Sequence, residues 1–175
     1  MFDTYEPAED SYLILKHIKD YAKGKRVLDM GTGSGILLLE AQKYAKSVTG
    51  VDINKQAIQA LRKKHRVKLI VSNLFENVKG KFEVILFNPP YLPSEQPDDI
   101  ALDGGKHGYE IILRFLKQAR HYLAKKGVIL LVFSSLSNRA RIDRGLSLLG
   151  YKHRLVEMKK LFFEELYLYE IKRDD

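Results

Sequence analysis

The sequence predicts an α/β fold, in which helices cover both faces of a doubly wound and mostly parallel sheet. Three observations support this prediction. Short apolar runs of strand length alternate with stretches whose apolar residues recur at helical spacing. Several of those runs are mostly apolar, which is consistent with parallel strands that are buried on both sides. The 175 residues, 45% hydrophobic and 30% charged, suit one globular domain with a full-sized core.

The first half of the chain reads as a helix followed by three strands with helices between them. The first helix begins at residues 6–10, where a proline and three acids suit the positive end of the helix dipole, and it ends near Gly24. Residues 26–40 then read as a strand, a glycine-rich turn and a helix. A second strand covers residues 48–52, a helix carries Ala57 and Leu61, and a third strand covers residues 67–71.

The second half supplies the remaining strands. The apolar run 82–87 ends at two adjacent prolines, since neither proline can donate a backbone N–H to the sheet. Residues 92–107 have no period and predict a long functional loop, and a helix follows them. Further strands are predicted at 127–133, 151–158 and 166–171, with a helix that ends near Gly150 after the first of them. No helix separates the last two strands, so at least one of them should run antiparallel.

Composition restricts the class of protein. The net charge of +8 favours anionic partners such as RNA or ribosomes, although a merely basic protein is the alternative interpretation. The chain has no cysteine, and the acids of the 92–107 loop are irregularly spaced, so we expect no metal site and interpret that loop as a solvated lid. No apolar run reaches the length of a membrane span and no signal peptide is apparent, which predicts a cytoplasmic protein.

A cofactor site is predicted at the glycine turn, whose Gly31, Gly33 and Gly35 allow close approach of the backbone. In a doubly wound sheet, ligands bind outside the carboxyl ends of the strands. Asp29 precedes the turn, where it would repel the phosphates of a dinucleotide but attract the cationic amine of S-adenosylmethionine. Asp52 ends the second strand at about the position of a ribose-binding acid. The simpler interpretations are a loop cap for Asp29 and a helix cap for Asp52.

Two residues after the third strand can complete that site. The amide of Asn73 can bond an adenine edge, and Leu74 can pack against the ring. An Asx turn at Asn73 is the alternative interpretation.

The stretch Phe87-Asn-Pro-Pro-Tyr91 predicts a second, chemical site. Each proline pushes the residue before it towards extended geometry, which fixes the directions of the Asn88 side chain and the Pro89 carbonyl. These two oxygens can each accept one N–H of an –NH2 group, and Tyr91 can lie flat against a planar group. Such acceptors would localise the nitrogen lone pair for methyl transfer. A rigid structural turn is the alternative, and His107 is interpreted as an exposed loop residue rather than a base.

Together these motifs resemble the class I S-adenosylmethionine-dependent methyltransferases. The resemblance is carried by Asp29-Met-Gly-Thr-Gly-Ser-Gly35 with Asp52, and by Asn88-Pro-Pro-Tyr91, which looks like the amino-methyltransferase signature. The stretches 5–12 and 102–108 are similar to the HemK-type branch. That branch methylates the glutamine of the Gly-Gly-Gln loop in eukaryotic and archaeal class I release factors.

The resemblance implies a Rossmann-like methyltransferase fold of seven strands with an antiparallel C-terminal strand. It implies a single domain over residues 1–175, with residues 1–24 as a helical extension over the cofactor site. The implied cofactor contacts are Ser11, Asp29, Gly31, Gly33, Gly35, Asp52, Ile53, Asn73, Leu74 and Asn88. The implied catalytic residues are Asn88, Pro89, Pro90 and Tyr91, of which Asn88, Pro89 and Tyr91 bind the substrate. Asn73 departs from the branch, which usually has Asp there.

Members of this branch commonly work with a small zinc-binding activator protein that pairs with an edge strand. The third strand is expected to be that edge, and in it Val67, Leu69 and Val71 alternate with Lys68 and Ile70.

The residues alone leave other substrates open. The same tetrapeptide serves enzymes that methylate adenine or guanine in DNA, rRNA or tRNA, and a protein lysine could enter the same pocket. A non-catalytic RNA-binding module with a vestigial fold is the alternative outside enzymes. A nucleic-acid enzyme usually needs an added recognition domain, for which the chain leaves little room.

Overall fold

In a computed structural model that describes residues 9–90 and 108–174, the described chain forms a seven-stranded sheet with helices on both faces. Strands β1 to β7 cover Arg26–Met30, Ser47–Asp52, Lys68–Val71, Phe82–Phe87, Leu123–Ser134, Tyr151–Lys160 and Glu165–Arg173. Helices α1 to α5 cover Glu9–Ala22, Ile36–Gln42, Lys55–Lys64, Glu110–Ala119 and Arg139–Leu148.

The strand order is β3-β2-β1-β4-β5-β7-β6. The first five strands pair in parallel, and β7 runs antiparallel to both of its neighbours, β5 and β6. The predicted seven-stranded, doubly wound fold with an antiparallel C-terminal strand is therefore confirmed. The strand order reverses direction at β1, because β2 and β3 lie on one side of β1 and β4 lies on the other. The switch point where ligands bind in such sheets therefore lies between the carboxyl ends of β1 and β4.

Two apolar cores lie on opposite faces of the sheet. Along β4, Val84 and Leu86 face the core that α1, α2 and α3 cover. Ile85 and Phe87 face the core that α4 and α5 cover. Because successive strand residues point to opposite faces, the apolar run of residues 84–87 in β4 contributes to both cores.

The prediction placed the start of β5 too late. The strand begins at Leu123 rather than at residue 127, and Leu123 pairs with Phe82 before the register shifts. Lys125 and Lys126 in between are exposed, so the segment lacks the apolar run that marks a buried strand. The final hairpin is also longer than predicted, because its exposed polar residues continue the pairing to Lys160.

The expectation that the third strand lies at an edge of the sheet is confirmed, since β3 pairs only with β2 among the described strands. The strand begins at Lys68, one residue later than predicted. Within the ranges that the structure describes, no helix is long and apolar enough to cross a membrane.

Candidate active site

The glycine turn and the end of β4 meet at the switch point. A Cβ atom added at Gly31 would lie 3.8 Å from the Phe87 ring and 3.9 Å from the Asn88 carbonyl oxygen. Gly31, Gly33 and Gly35 have φ values of 68°, 48° and 84°, a region that favours glycine. A side chain at Gly35 would also clash with Leu61, 2.6 Å from the position of its Cβ atom. The turn therefore requires glycine for its conformation and for the packing of α3.

Asp29 is a buried carboxylate with an unused oxygen. Only 1% of the residue is exposed, and the hydroxyl of Thr32 donates to Oδ2 at 2.7 Å. Its Oδ1 atom is buried and has no hydrogen-bond partner in the part of the chain that the structure describes. Burial raises the pKa of Asp29, the charge of Asp52 adds to that effect, and hydrogen bonding, chiefly from Thr32, opposes it, so that the pKa is about 7. A buried acceptor of this kind is costly without a partner, and a ligand ammonium group would supply one.

Asp52 has a different environment, because backbone N–H groups hold both of its oxygens. Gly33 donates to Oδ2 and Asn54 donates to Oδ1, each at 2.8 Å. The helix cap is Asn54 itself, whose side chain accepts from the first turn of α3, so the helix-cap interpretation of Asp52 is wrong. The carboxylate ties the glycine turn to the end of β2 and keeps lone pairs for ribose hydroxyls. Ile53, beside it, is 43% exposed.

The amide of Asn73 is held at both ends. Its Nδ2 donates to Glu76 Oε1 at 2.9 Å, and its Oδ1 accepts from Arg114 Nη2 at 3.1 Å. Sequence reasoning missed Arg114, which lies 41 positions away on α4 and has no motif around it. Leu74 has a φ of 48° and is buried in the core under α4. The Asn73 amide is therefore fixed in orientation by Glu76 and Arg114, and Leu74 packs into that core.

Asn88 is joined to the first helix across 77 positions of sequence. Its Nδ2 donates to Ser11 Oγ at 3.1 Å, and Ser11 is only 4% exposed. With Nδ2 engaged, Oδ1 remains, and this buried atom has no hydrogen-bond partner among residues 9–90 and 108–174. The next residue, Pro89, is buried as well. The arrangement presents an oriented amide oxygen at the end of β4, which can accept an N–H from a substrate.

Several predicted positions lie outside the described residues. They are Tyr91, the loop 92–107 with His107, and the first part of the 5–12 stretch. Among residues 9–90 and 108–174, no group of three or more His, Asp or Glu side chains could hold a metal ion.

A pocket of about 420 Å³ opens on the other side of the glycine turn. Its walls are Gly33, Ser34 and the exposed face of α3 as far as Lys64 and His65. Asp29, Asn73 and Asn88 do not line it, so this pocket adjoins the polar cluster at the switch point and does not contain it.

Most of the chain is similar to known methyltransferases. A family model described as the methyltransferase small domain matches residues 1–160. A protein of Methanocaldococcus jannaschii, provisionally named protein N5-glutamine methyltransferase, is 43% identical over 94% of this chain and 89% of its own length.

Two further likenesses concern translation termination. A release factor glutamine methyltransferase of Borreliella burgdorferi is 34% identical over 61% of this chain, but the match spans only 44% of that protein. The solved E. cuniculi Mtq2–Trm112 complex is described as responsible for methylating the termination factor eRF1. Its matching chain has a TM-score of 0.82 and 27% identity, with coverage of 97% of this chain and 98% of that chain.

These matches confirm the predicted class of enzyme and its likeness to the HemK type. The cofactor is S-adenosylmethionine, the methyl donor of that class. On the family match and on the near full-length relative, the chain belongs to the methyltransferase small domain family.

Proposed function

We propose that this protein transfers a methyl group from S-adenosylmethionine to the side-chain amide nitrogen of the Gly-Gly-Gln glutamine in a class I release factor. The observation that carries the proposal is the buried Oδ1 of Asn88. No described residue forms a hydrogen bond with it, while the Nδ2 of the same amide is engaged by Ser11. The residue thus faces a substrate as a hydrogen-bond acceptor.

The residues around the glycine turn fit the cofactor. The unpartnered Oδ1 of Asp29 suits the ammonium group of the methionine part. Asp52 suits the ribose hydroxyls, and Asn73 the adenine edge. Gly31, Gly33, Gly35, Ile53, Leu74, Ser11 and Asn88 complete the proposed contacts. The link between Ser11 and Asn88 supports a role for residues 1–24 as a cover over this site in a single domain of residues 1–175.

The chemistry requires the site to localise a lone pair. A glutamine amide nitrogen is a poor nucleophile, because its lone pair is delocalised into the carbonyl group. Asn88 Oδ1 and the Pro89 carbonyl each accept one N–H of the –NH2 group, which turns the remaining lone pair towards the donor. S-adenosylmethionine, when bound, supplies a methyl group on a cationic sulfur.

The same two oxygens stabilise the transition state. Positive charge grows on the amide nitrogen as the methyl group arrives, so fixed carbonyl dipoles interact more strongly with the transition state than with the ground state. Pro90 stiffens the turn, and Tyr91 is the proposed stacking surface for the planar amide. The proton leaves to water once the charge has developed, so no strong base is required.

Two kinds of support favour glutamine over a nucleobase. The relative of 43% identity and the structural neighbour of 27% identity both carry names that refer to glutamine or to a termination factor. The match to that structural neighbour also covers 98% of its chain, so the likeness extends over nearly the whole of that protein. The charge of +8 is compatible with a substrate that visits the ribosome in the cytoplasm.

An activator subunit is proposed at the free edge of β3. In the E. cuniculi complex the similar chain is solved together with Trm112. The edge offers Lys68 as an exposed residue and Ile70 and Val71 as half-buried ones. A partner strand could pair there through backbone hydrogen bonds, and zinc in that partner would belong to its own fold.

The first prediction concerns the substrate. With radiolabelled S-adenosylmethionine, the protein is expected to label a class I release factor, and a release factor whose Gly-Gly-Gln glutamine is changed to Ala should take no label. Bulk RNA is the matched competitor substrate. Label on RNA alone would overturn the proposal in favour of base methylation.

The second prediction concerns Asn88 and Ser11. Asn88→Ala should lower kcat by at least about 100-fold, because it removes a dipole aimed at the developing charge. Ser11→Ala should lower kcat/KM by about tenfold, the effect of losing one buried hydrogen bond that orients the amide. Ser147→Ala, at an exposed helical serine, is the matched control and should be silent. Near wild-type turnover in Asn88→Ala would remove the central acceptor from the mechanism.

The third prediction is a pH dependence of cofactor binding. The ligand ammonium favours ionised Asp29, whose pKa is about 7 in the free protein, so the affinity for S-adenosylhomocysteine should rise from about pH 6 to about pH 7.5. Below the pKa each pH unit lowers the affinity by up to about tenfold. Asp29→Asn should bind weakly with a flat profile by titration calorimetry. An equally flat wild-type profile would contradict this assignment.

The thermal stability of Asp29→Asn is the control that shows whether this variant is folded. A raised pKa means that the folded state holds its proton longer than the unfolded state, so the free energy of unfolding falls as pH rises from about 4 towards about 7. Asp29→Asn removes this cost. Its melting temperature without ligand at about pH 8 should therefore exceed that of the wild type by at least about 2 °C, which would separate weak binding from misfolding.

A further inference from the structure

Two phenylalanines project from the turn between β6 and β7. Phe162 is 92% exposed and Phe163 is 86% exposed. Their rings meet edge to face, with centroids 4.6 Å apart and planes at 82°. Neither ring belongs to the two cores of the sheet. Packing of the two cores therefore does not explain why two phenylalanines occupy this turn.

The backbone of the turn does not require these residues. The Leu161 N–H donates to the Glu164 carbonyl at 2.8 Å, so Phe162 and Phe163 are the two central residues of a tight hairpin loop. Neither phenylalanine has a positive φ, so polar residues would fit both positions, and large exposed apolar residues at such a tip invite association. Positions that break local rules in this way are expected at functional sites.

The turn lies on the same rim of the sheet as the active site. Strand β7 runs antiparallel to both β5 and β6, so β6 runs parallel to β5 and ends at the carboxyl edge. Leu131 of β5 pairs with Phe87 on one side and with Tyr169 on the other. From Tyr169 back to Glu165 is four residues, so the hairpin projects about 13 Å beyond the level of Phe87.

Contacts at the base of the turn fix it beside Asn88. Lys159 forms an ion pair with Glu9, the first residue of α1, two residues before the Ser11 that bonds Asn88. The backbone N–H of Glu165 donates to Ser135 Oγ at 3.0 Å, just after β5. The exposed rings are thus carried on a braced hairpin rather than on a loose end.

The charges around the rings are balanced, although the whole chain is basic. Lys159 is paired with Glu9, and Lys160 lies 3.8 Å from Glu165. Glu164 adds a further acid to the turn. Among the described residues at this tip, acids therefore offset the lysines. Phosphates of RNA and anionic lipids both require unpaired positive charge, whereas an apolar recess on a protein does not.

We propose that Phe162 and Phe163 are a docking element for the protein substrate. The two rings enter an apolar recess beside the methyl-accepting loop, and the hairpin holds that loop over Asn88. Aromatic residues that enter such a pocket supply much of the binding energy at protein interfaces. The identity of the partner rests on the proposed function, in which the substrate is a folded release factor.

The test uses the 175-residue chain with Phe162→Ser and Phe163→Ser combined. Neither position has a positive φ and both side chains are almost fully exposed, so the variant is expected to keep the fold while it loses the rings. The KM for the intact release factor should rise at least about tenfold, with kcat and the affinity for S-adenosylhomocysteine unchanged. Leu148→Asn is the matched control and should match the wild type, since Leu148 is 78% exposed at the end of α5, which runs away from this rim.

Each other outcome has a distinct meaning. A variant with the wild-type KM for the release factor would overturn the docking role and leave the proposed function standing. A wild-type protein that does not label the release factor at all would overturn both. Loss of binding to bulk RNA or to phosphatidylserine vesicles in the double variant, with an unchanged KM, would reassign the rings to those partners and overturn the inference.

Discussion

The hydrogen bond between Asn88 and Ser11 links the two halves of the proposed site. It spans 77 positions of sequence and takes up the donor end of the Asn88 amide. The acceptor end is buried and unpaired among the described residues, so in the proposed mechanism the amide is already oriented before the substrate binds. The same contact holds α1 against the end of β4. The proposed mechanism, the proposed cover over the cofactor and the proposed docking hairpin therefore all depend on the position of this helix.

The two carboxylates at the switch point lie in different environments, which suit different groups of a ligand. Asp52 has its charge stabilised by backbone N–H groups of Gly33 and Asn54, and it fixes the shape of the turn. Asp29 has a buried oxygen that is unpaired among the described residues, and its pKa is raised. Both features make the free energy of folding less favourable in the absence of ligand. A cationic ligand removes that cost on binding. The site thus favours a ligand that carries both an ammonium group and hydroxyls.

The sequence predicted the architecture well for two reasons. Its central strands are buried on both sides and therefore mostly apolar, and the glycines of the turn after β1 have the positive φ values that favour glycine. It predicted less about contacts between distant segments. Nothing in the spacing links Arg114 to Asn73, and Lys125 with Lys126 concealed the start of β5. The exposure of Phe162 was also hidden, because an aromatic residue between two strands reads equally well as core. Such properties arise only when the sheet assembles, since they depend on which strands become neighbours.

The central claim is that Asn88 Oδ1 accepts an N–H of the substrate amide. The most direct measurement is a crystal structure of the protein with S-adenosylhomocysteine and the release factor. The account predicts the glutamine Nε2 within about 3.2 Å of Asn88 Oδ1 and of the Pro89 carbonyl, with Ser11 still bonded to Nδ2. A complex in which the Asn88 side chain turns its Nδ2 to the substrate, or makes no contact with the amide, would contradict it.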